Sequence, residues 1–118
     1  MFTVSKDHSF SASHQLSGLP PEHPCSRLHG HNFTVRLTLG STLLSQVGFV
    51  IDYNELRPFF KWVDESYDHR HLNDVVNFNP TSELMAKHLF NVAWTDFHLP
   101  VAAVGWSETP KTWAEYRR

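Results

Sequence analysis

The sequence predicts an α+β domain in which two helices pack on a four-stranded antiparallel sheet, in the order β-β-α-α-β-β. Two observations carry the prediction. Side chains alternate with a period of two over residues 2–14, 29–39, 101–108 and 112–117, and two stretches of helical spacing lie between the second and third of these segments. A length of 118 residues suits one domain, 1–118, and leaves no room for a second.

In the first segment Phe2, Val4, Lys6, His8, Phe10, Ala12 and His14 share one face of a long strand. Residues 15–28 then hold three prolines and a glycine, so neither a ladder nor a helix runs through them, and Cys25 sits in this loop. Alternation returns at His29, with His31, Phe33, Val35, Leu37 and Leu39 on one face. Further on, Asp52 and Glu55 resemble a capping box, and Leu56, Phe59, Phe60, Val63 and Tyr67 follow at helical spacing. Pro58 conflicts with that start, because a proline past the first turn removes a ladder bond and clashes one turn back; the helix starts later or kinks there.

A second helix follows Asn79-Pro80, with Pro80 suited to the first helical position and Leu84, Met85, Leu89, Val92, Ala93 and Phe97 forming an apolar stripe to about Asp96. After His98-Leu99-Pro100, Ala102, Val104, Trp106 and Glu108 share a face of the third strand. A Glu-Thr-Pro-Lys turn leads into the last, Thr112 to Arg117. A small open sheet leaves edges that need cover, so self-association is expected.

A net charge of -2 gives no electrostatic footprint for nucleic acid or an anionic membrane. No apolar run approaches the roughly 18 residues of a membrane span, and Met1 to His14 lack the pattern of a signal peptide. A single cysteine excludes an internal disulfide and fits a reducing cytoplasm. The unusual feature of the composition is nine histidines, several closely spaced.

Residues two apart on a strand point to the same side, so His29 and His31 project together. If the first two strands pair as antiparallel neighbours, the end of one lies beside the start of the other and His14 arrives at the same corner. Any one of these histidines alone reads as an ordinary polar residue at a strand end. Three converging imidazoles on an apolar face match the neutral nitrogen ligands of zinc, and three protein ligands leave a fourth position for water or substrate. That is the pattern of a catalytic site.

Cys25 lies four residues before His29. A free cysteine is commonly a small buried hydrophobe, but a proline-rich loop is a poor place to bury one, and nearby zinc and histidine would favour the reactive thiolate. Asp68 beside His69 suits proton transfer, although a polar helix-end turn explains the pair equally well and His71 competes for the role. Glu108 stands where the strand pattern asks for an apolar side chain; it is either a strand end or an anchor for a ligand with amino and ring N–H donors. Thr81, Ser82 and Glu83 open the second helix, where capping residues are expected in any case.

His14, the run Cys25-Ser-Arg-Leu-His29-Gly-His31-Asn, Asp68-His69, Asn79-Pro80-Thr81-Ser82-Glu83 and Trp106-Ser107-Glu108-Thr109 together resemble the 6-pyruvoyltetrahydropterin synthase family. The likeness is strongest to its short bacterial branch, 6-carboxy-5,6,7,8-tetrahydropterin synthase. It implies the tunnelling fold, with subunits assembling their sheets into a barrel, commonly a homohexamer built as a dimer of trimers. It also implies zinc on His14, His29 and His31, Cys25 as general base, and Asp68 and His69 as relay partners contributed across a subunit interface. Glu108 would hold the pterin ring, helped by Thr81, Ser82 and Glu83.

The implied substrate is 7,8-dihydroneopterin triphosphate. Zinc would acidify its side-chain hydroxyls, triphosphate would leave, and carbon-carbon cleavage would give acetaldehyde and the carboxylated tetrahydropterin used in queuosine and other 7-deazapurine synthesis. The pyruvoyl branch shares these residues and stops before carbon-carbon cleavage. Chain length and the ending Glu108-Thr-Pro-Lys-Thr-Trp-Ala-Glu-Tyr116 favour the bacterial branch, and Cys25 argues against a folate-linked branch that has glutamate there. A zinc-stabilised pterin-binding protein without turnover, or an aldolase-like side-chain cleavage, are the remaining alternatives.

Overall fold

The computed structural model describes all 118 residues. Alternation along the first segment gives strand β1, Phe2–His14, which pairs antiparallel along its whole length with β2, His29–Ser41, from Phe2 opposite Ser41 to His14 opposite His29. Directly paired residues share a face. Phe10, Ala12, Phe33, Val35, Leu37 and Leu39 are accordingly all buried on one side. On the other side the partners are polar and bond across the strands: Ser5 to Thr38, Asp7 to Arg36, Ser9 to Thr34, and Ser11 to Asn32. Each such pair contributes about 0.2–1 kcal/mol, and a slip of one residue would exchange the two faces.

Pro58 sets the start of the first helix. The Asp52 side chain accepts a hydrogen bond from the Asn54 N–H at 2.9 Å and caps a 3-10 turn, Tyr53–Leu56. Helix α1, Arg57–Tyr67, follows, with Pro58 in its first turn, where the missing N–H costs nothing. The later start expected as one alternative therefore holds, and Asp52 caps the preceding turn rather than the helix. Phe59, Phe60, Val63 and Tyr67 supply its buried face.

The chain then forms a two-residue strand β3, Arg70–His71, which runs parallel to β1 beside Ala12 and Ser13, and a single helical turn α2, Leu72–Val75. Neither was expected; segments this short have no readable period. Helix α3 spans Ser82–Thr95. Pro80 is not its first residue, because Thr81 takes the capping position and accepts from the Leu84 N–H at 3.2 Å. Strands β4, Val101–Thr109, and β5, Thr112–Arg117, close the chain.

The sheet order is β3-β1-β2-β4-β5, so the four long antiparallel strands are as expected and a short parallel fifth is added at one edge. The α1 and α3 faces cover the apolar side, where Trp106 is fully buried with its ring 5.6 Å from Phe10 and 5.0 Å from Phe33. Truncating a fully buried leucine of this layer, such as Leu37, costs about 2–5 kcal/mol. No helix is long and apolar enough to cross a membrane.

Candidate metal centre

The pairing of β1 with β2 sets His14 directly opposite His29, and His31 opposite Ala12, all on the buried face at one end of the two strands. One ring nitrogen from each histidine lies within 4.8 Å of the other two. His14 is fully buried, while His29 and His31 are partly buried. The histidines predicted from spacing thus meet at one point.

Hydrogen bonding decides which nitrogens are free. His14 Nδ1 lies 2.9 Å from the Pro80 carbonyl and His29 Nδ1 lies 2.7 Å from the Arg27 carbonyl. A carbonyl only accepts, so in each ring Nδ1 carries the proton and donates it, and Nε2 keeps a lone pair. Those two Nε2 atoms face each other at 2.9 Å. With both rings neutral, two lone pairs so placed repel unless a metal ion or one added proton lies between them. His31 Nε2 is buried with no hydrogen-bond partner, so it too is left unsatisfied by the protein's own groups.

Burial pushes the His14 pKa below its ordinary value, only partly offset by the Pro80 bond and the nearby Glu108 carboxylate. The neutral imidazole is the ligand form, and carbonyls behind two of the rings are the usual orienting partners of metal-bound histidine. These residues fit a zinc ion with an open position.

Glu108, on β4, stands beside this cluster. One carboxylate oxygen is 3.7 Å from His14 Nε2 and the other is 3.6 Å from His31 Nε2, while Ser82 at the start of α3 donates to Glu108 at 3.2 Å. Thr81 is occupied as the helix cap, and Glu83 is exposed in the first turn. Ser82 and Glu108 are therefore brought to the metal corner, and Thr81 and Glu83 stand next to it in sequence without touching its polar groups.

Cys25 lies in a 3-10 turn, Pro24–Ser26, partly buried, and its sulfur is outside the group of three nitrogens. Its backbone is held firmly: the Cys25 N–H donates to His23 Nδ1 at 3.0 Å, and its carbonyl accepts from Leu16 at 2.9 Å. Asp68 and His69 do form a pair, 3.0 Å apart. The Ser11 N–H donates to Asp68 at 3.1 Å, and this bond, with His69 beside it, holds the Asp68 carboxyl below the usual range. His71 instead bonds Ser13 at 2.9 Å, so the partner of Asp68 is His69. No hydrogen bond or ion pair joins Asp68 or His69 to the three histidines, although His31 and His69 line the same open cavity beside Ser11, Ser13 and Asn32.

Two asparagines complete the corner, Asn73 with no signal in the sequence and Asn79 from the run before the second helix, though without a role assigned there. Asn73 exchanges hydrogen bonds with the Gln15 backbone at 2.9 and 2.7 Å, and Asn79 does the same with Ser17 at 3.0 and 3.1 Å. Together they clamp the chain just after His14, and Asn79 immediately precedes the Pro80 carbonyl that orients it.

Residues 3–118 match the family model described as 6-pyruvoyl tetrahydropterin synthase. The chain is 38% identical over 98 residues to the 6-carboxy-5,6,7,8-tetrahydropterin synthase of Synechocystis, a match covering 76% of this chain and 73% of that one. It is 35% identical over 99 residues to the Bacillus subtilis protein of the same description, covering 76% of this chain and 64% of that relative. Among solved structures, Caenorhabditis elegans 6-pyruvoyl tetrahydropterin synthase superposes with a TM-score of 0.84 at 27% identity, covering 99% of this chain and 95% of that one.

Proposed function

The chain belongs to the 6-pyruvoyl tetrahydropterin synthase family and has its tunnelling fold, and from that premise we propose that it is a zinc-dependent 6-carboxy-5,6,7,8-tetrahydropterin synthase. Its substrate in this reading is 7,8-dihydroneopterin triphosphate, and its product feeds queuosine and related 7-deazapurine synthesis. The observation that carries the metal-dependent reading is that the Nδ1 atoms of His14 and His29 are both committed to carbonyls while their Nε2 atoms face each other, with the unpartnered His31 nitrogen beside them. The two relatives described as carboxy-tetrahydropterin synthases support this branch of the family.

His14, His29 and His31 would hold the zinc, whose contribution is to polarise and acidify the side-chain hydroxyls of the substrate. Glu108 accepts hydrogen bonds from the donors of the pterin ring, with Ser82 orienting its carboxylate and Thr81 and Glu83 shaping the approach. Cys25 takes the proton from the side-chain carbon as the triphosphate leaves. The Asp68-His69 pair moves a second proton, with Asp68 stabilising the charged imidazole. Because one chain does not join that pair to the histidine cluster, the reading includes assembly, as two trimers, in which a neighbouring copy contributes it.

Zinc-loaded protein incubated with 7,8-dihydroneopterin triphosphate, followed by mass spectrometry of the products, tests the proposal. Acetaldehyde and a carboxylated tetrahydropterin are expected. A pyruvoyl product without acetaldehyde would move the chain to the other branch, which the C. elegans likeness favours. Binding of the pterin with no product at all would reduce the protein to a zinc-stabilised binder.

A further inference from the structure

Two residues outside the metal corner converge on the relay pair. His69 has a backbone φ of 59°, in the left-handed region that side chains other than glycine enter only at a cost. Such a conformation persists where its surroundings over-determine it. On one side the restraint is Ser11, whose N–H binds Asp68 and whose carbonyl accepts the His69 N–H at 2.6 Å. On the other side the chain enters from Tyr67, the last residue of α1.

Tyr67 is 2% exposed. Its ring lies 5.4 Å from Trp62 and 6.1 Å from Phe10, and its hydroxyl is 3.0 Å from Nε2 of His88 on α3. His88 is itself packed against Phe78 and Trp62. Neither residue lies in the metal corner, and the proposed chemistry uses neither. Their hydrogen bond is a fixed point between two helices one residue before Asp68, at the place where the strained turn begins.

We propose that Tyr67 and His88 are positioning residues for the reaction: their buried hydrogen bond holds the end of α1 so that Asp68 and His69 keep the geometry needed for proton transfer. This rests on the relay role given to Asp68 and His69 above. A displacement of about 1 Å in a proton-transfer group can cost on the order of 100-fold in rate, so a partial loosening of this anchor corresponds to roughly a tenfold loss.

The test compares four variants of the full, zinc-loaded chain with 7,8-dihydroneopterin triphosphate. Tyr67→Phe removes one oxygen; His88→Leu keeps volume and removes the bond; His88→Gln keeps a side chain that can still bond the hydroxyl; the fourth is the double variant Tyr67→Phe with His88→Leu. Expected are roughly tenfold lower kcat in each of the first two, no further loss in the double variant, and most of the rate retained in His88→Gln, with KM and zinc stoichiometry unchanged throughout. An undiminished kcat in Tyr67→Phe at a temperature well below its melting point overturns the proposal, even if its Tm falls, because that is the mark of a purely structural bond. So does a loss that appears in KM or in bound zinc. A His69→Ala variant measured alongside separates the two levels: undiminished turnover there removes the relay reading itself and the positioning role with it, whereas a large loss there with no loss in Tyr67→Phe removes only the positioning role.

Discussion

His29→Ala isolates the metal's contribution to stability, because His29 is partly exposed and its loss leaves the His14 tautomer and the core intact. At free zinc a hundredfold above Kd, the bound ion adds about 2.7 kcal/mol to the folded state. The unfolding entropy of a 118-residue domain is about 0.25 kcal/mol/K, so zinc should raise the wild-type Tm by about 11 °C. Four-ligand zinc sites bind with about 10–16 kcal/mol, or about 3 kcal/mol per ligand, and losing one of them weakens binding by roughly 100-fold. At the same zinc concentration the variant would then gain about 0.4 kcal/mol, a rise of about 2 °C. Without zinc, the variant loses a hydrogen bond to Arg27 worth about 1 kcal/mol but is relieved of two facing lone pairs, so its Tm should lie within about 4 °C of wild type. Calorimetry with chelator and with excess zinc gives all four numbers. A variant that zinc stabilises as strongly as wild type, or a wild type that zinc does not stabilise, refutes the assignment.

Cys25→Ala should retain zinc while losing roughly 10²–10⁴ in turnover, read by metal analysis and product formation together; unchanged turnover removes Cys25 from the mechanism. Asn79→Ala breaks both bonds to Ser17 beside the carbonyl that orients His14, so zinc affinity measured by competition with a chelator should fall about 10–100-fold; an unchanged affinity would show that the clamp does not reach the metal. Thr81→Ala removes the α3 cap and should cost about 1 kcal/mol in urea unfolding. Burial holds the His88 pKa below 6.5, so the unfolded chain takes up this proton first as pH falls. Its stabilising contribution is complete above about pH 6.5 and is lost as pH falls toward the lower folded value. His88→Gln should lose less stability than wild type between pH 7 and pH 5, and two parallel stability curves would contradict this.

The parts legible in the sequence were those governed by periodicity. Alternation in two segments joined by a proline-rich loop defines both strands and their facing sides, and the His14-His29 pairing follows from antiparallel register alone. Pro58 was legible as a conflict but not as an answer, because whether a helix kinks or starts late depends on a cap, and Asp52 supplies one for a turn that no pattern announces. Pro80 misled for a related reason. Proline suits the first turn of a helix, but Thr81 can cap and proline cannot, so the helix begins beyond it. The strand Arg70–His71 had no signal, being too short to show a period.

Within the site, residue types identified the three histidines, whereas what fixes their ring orientation lies in backbone groups. A carbonyl has no sequence signature, yet those of Arg27 and Pro80 decide that His29 and His14 turn their Nε2 atoms toward the cluster. The Ser11 backbone likewise holds both members of the Asp68-His69 pair, and any residue except proline, which lacks the N–H, could supply the same two groups. Reading the chain therefore finds the histidines through chemistry and spacing and misses their orientation, because orientation is set by atoms common to every residue. That division also explains why Glu108 was recognised by its residue type while its place beside the histidines was not legible. Its carboxylate was conspicuous on an apolar strand face, but its closeness to His14 and His31 depends on the β2–β4 register, which pairs Thr34 with Ser107 and so carries the next residue, Glu108, toward the histidine end of β2.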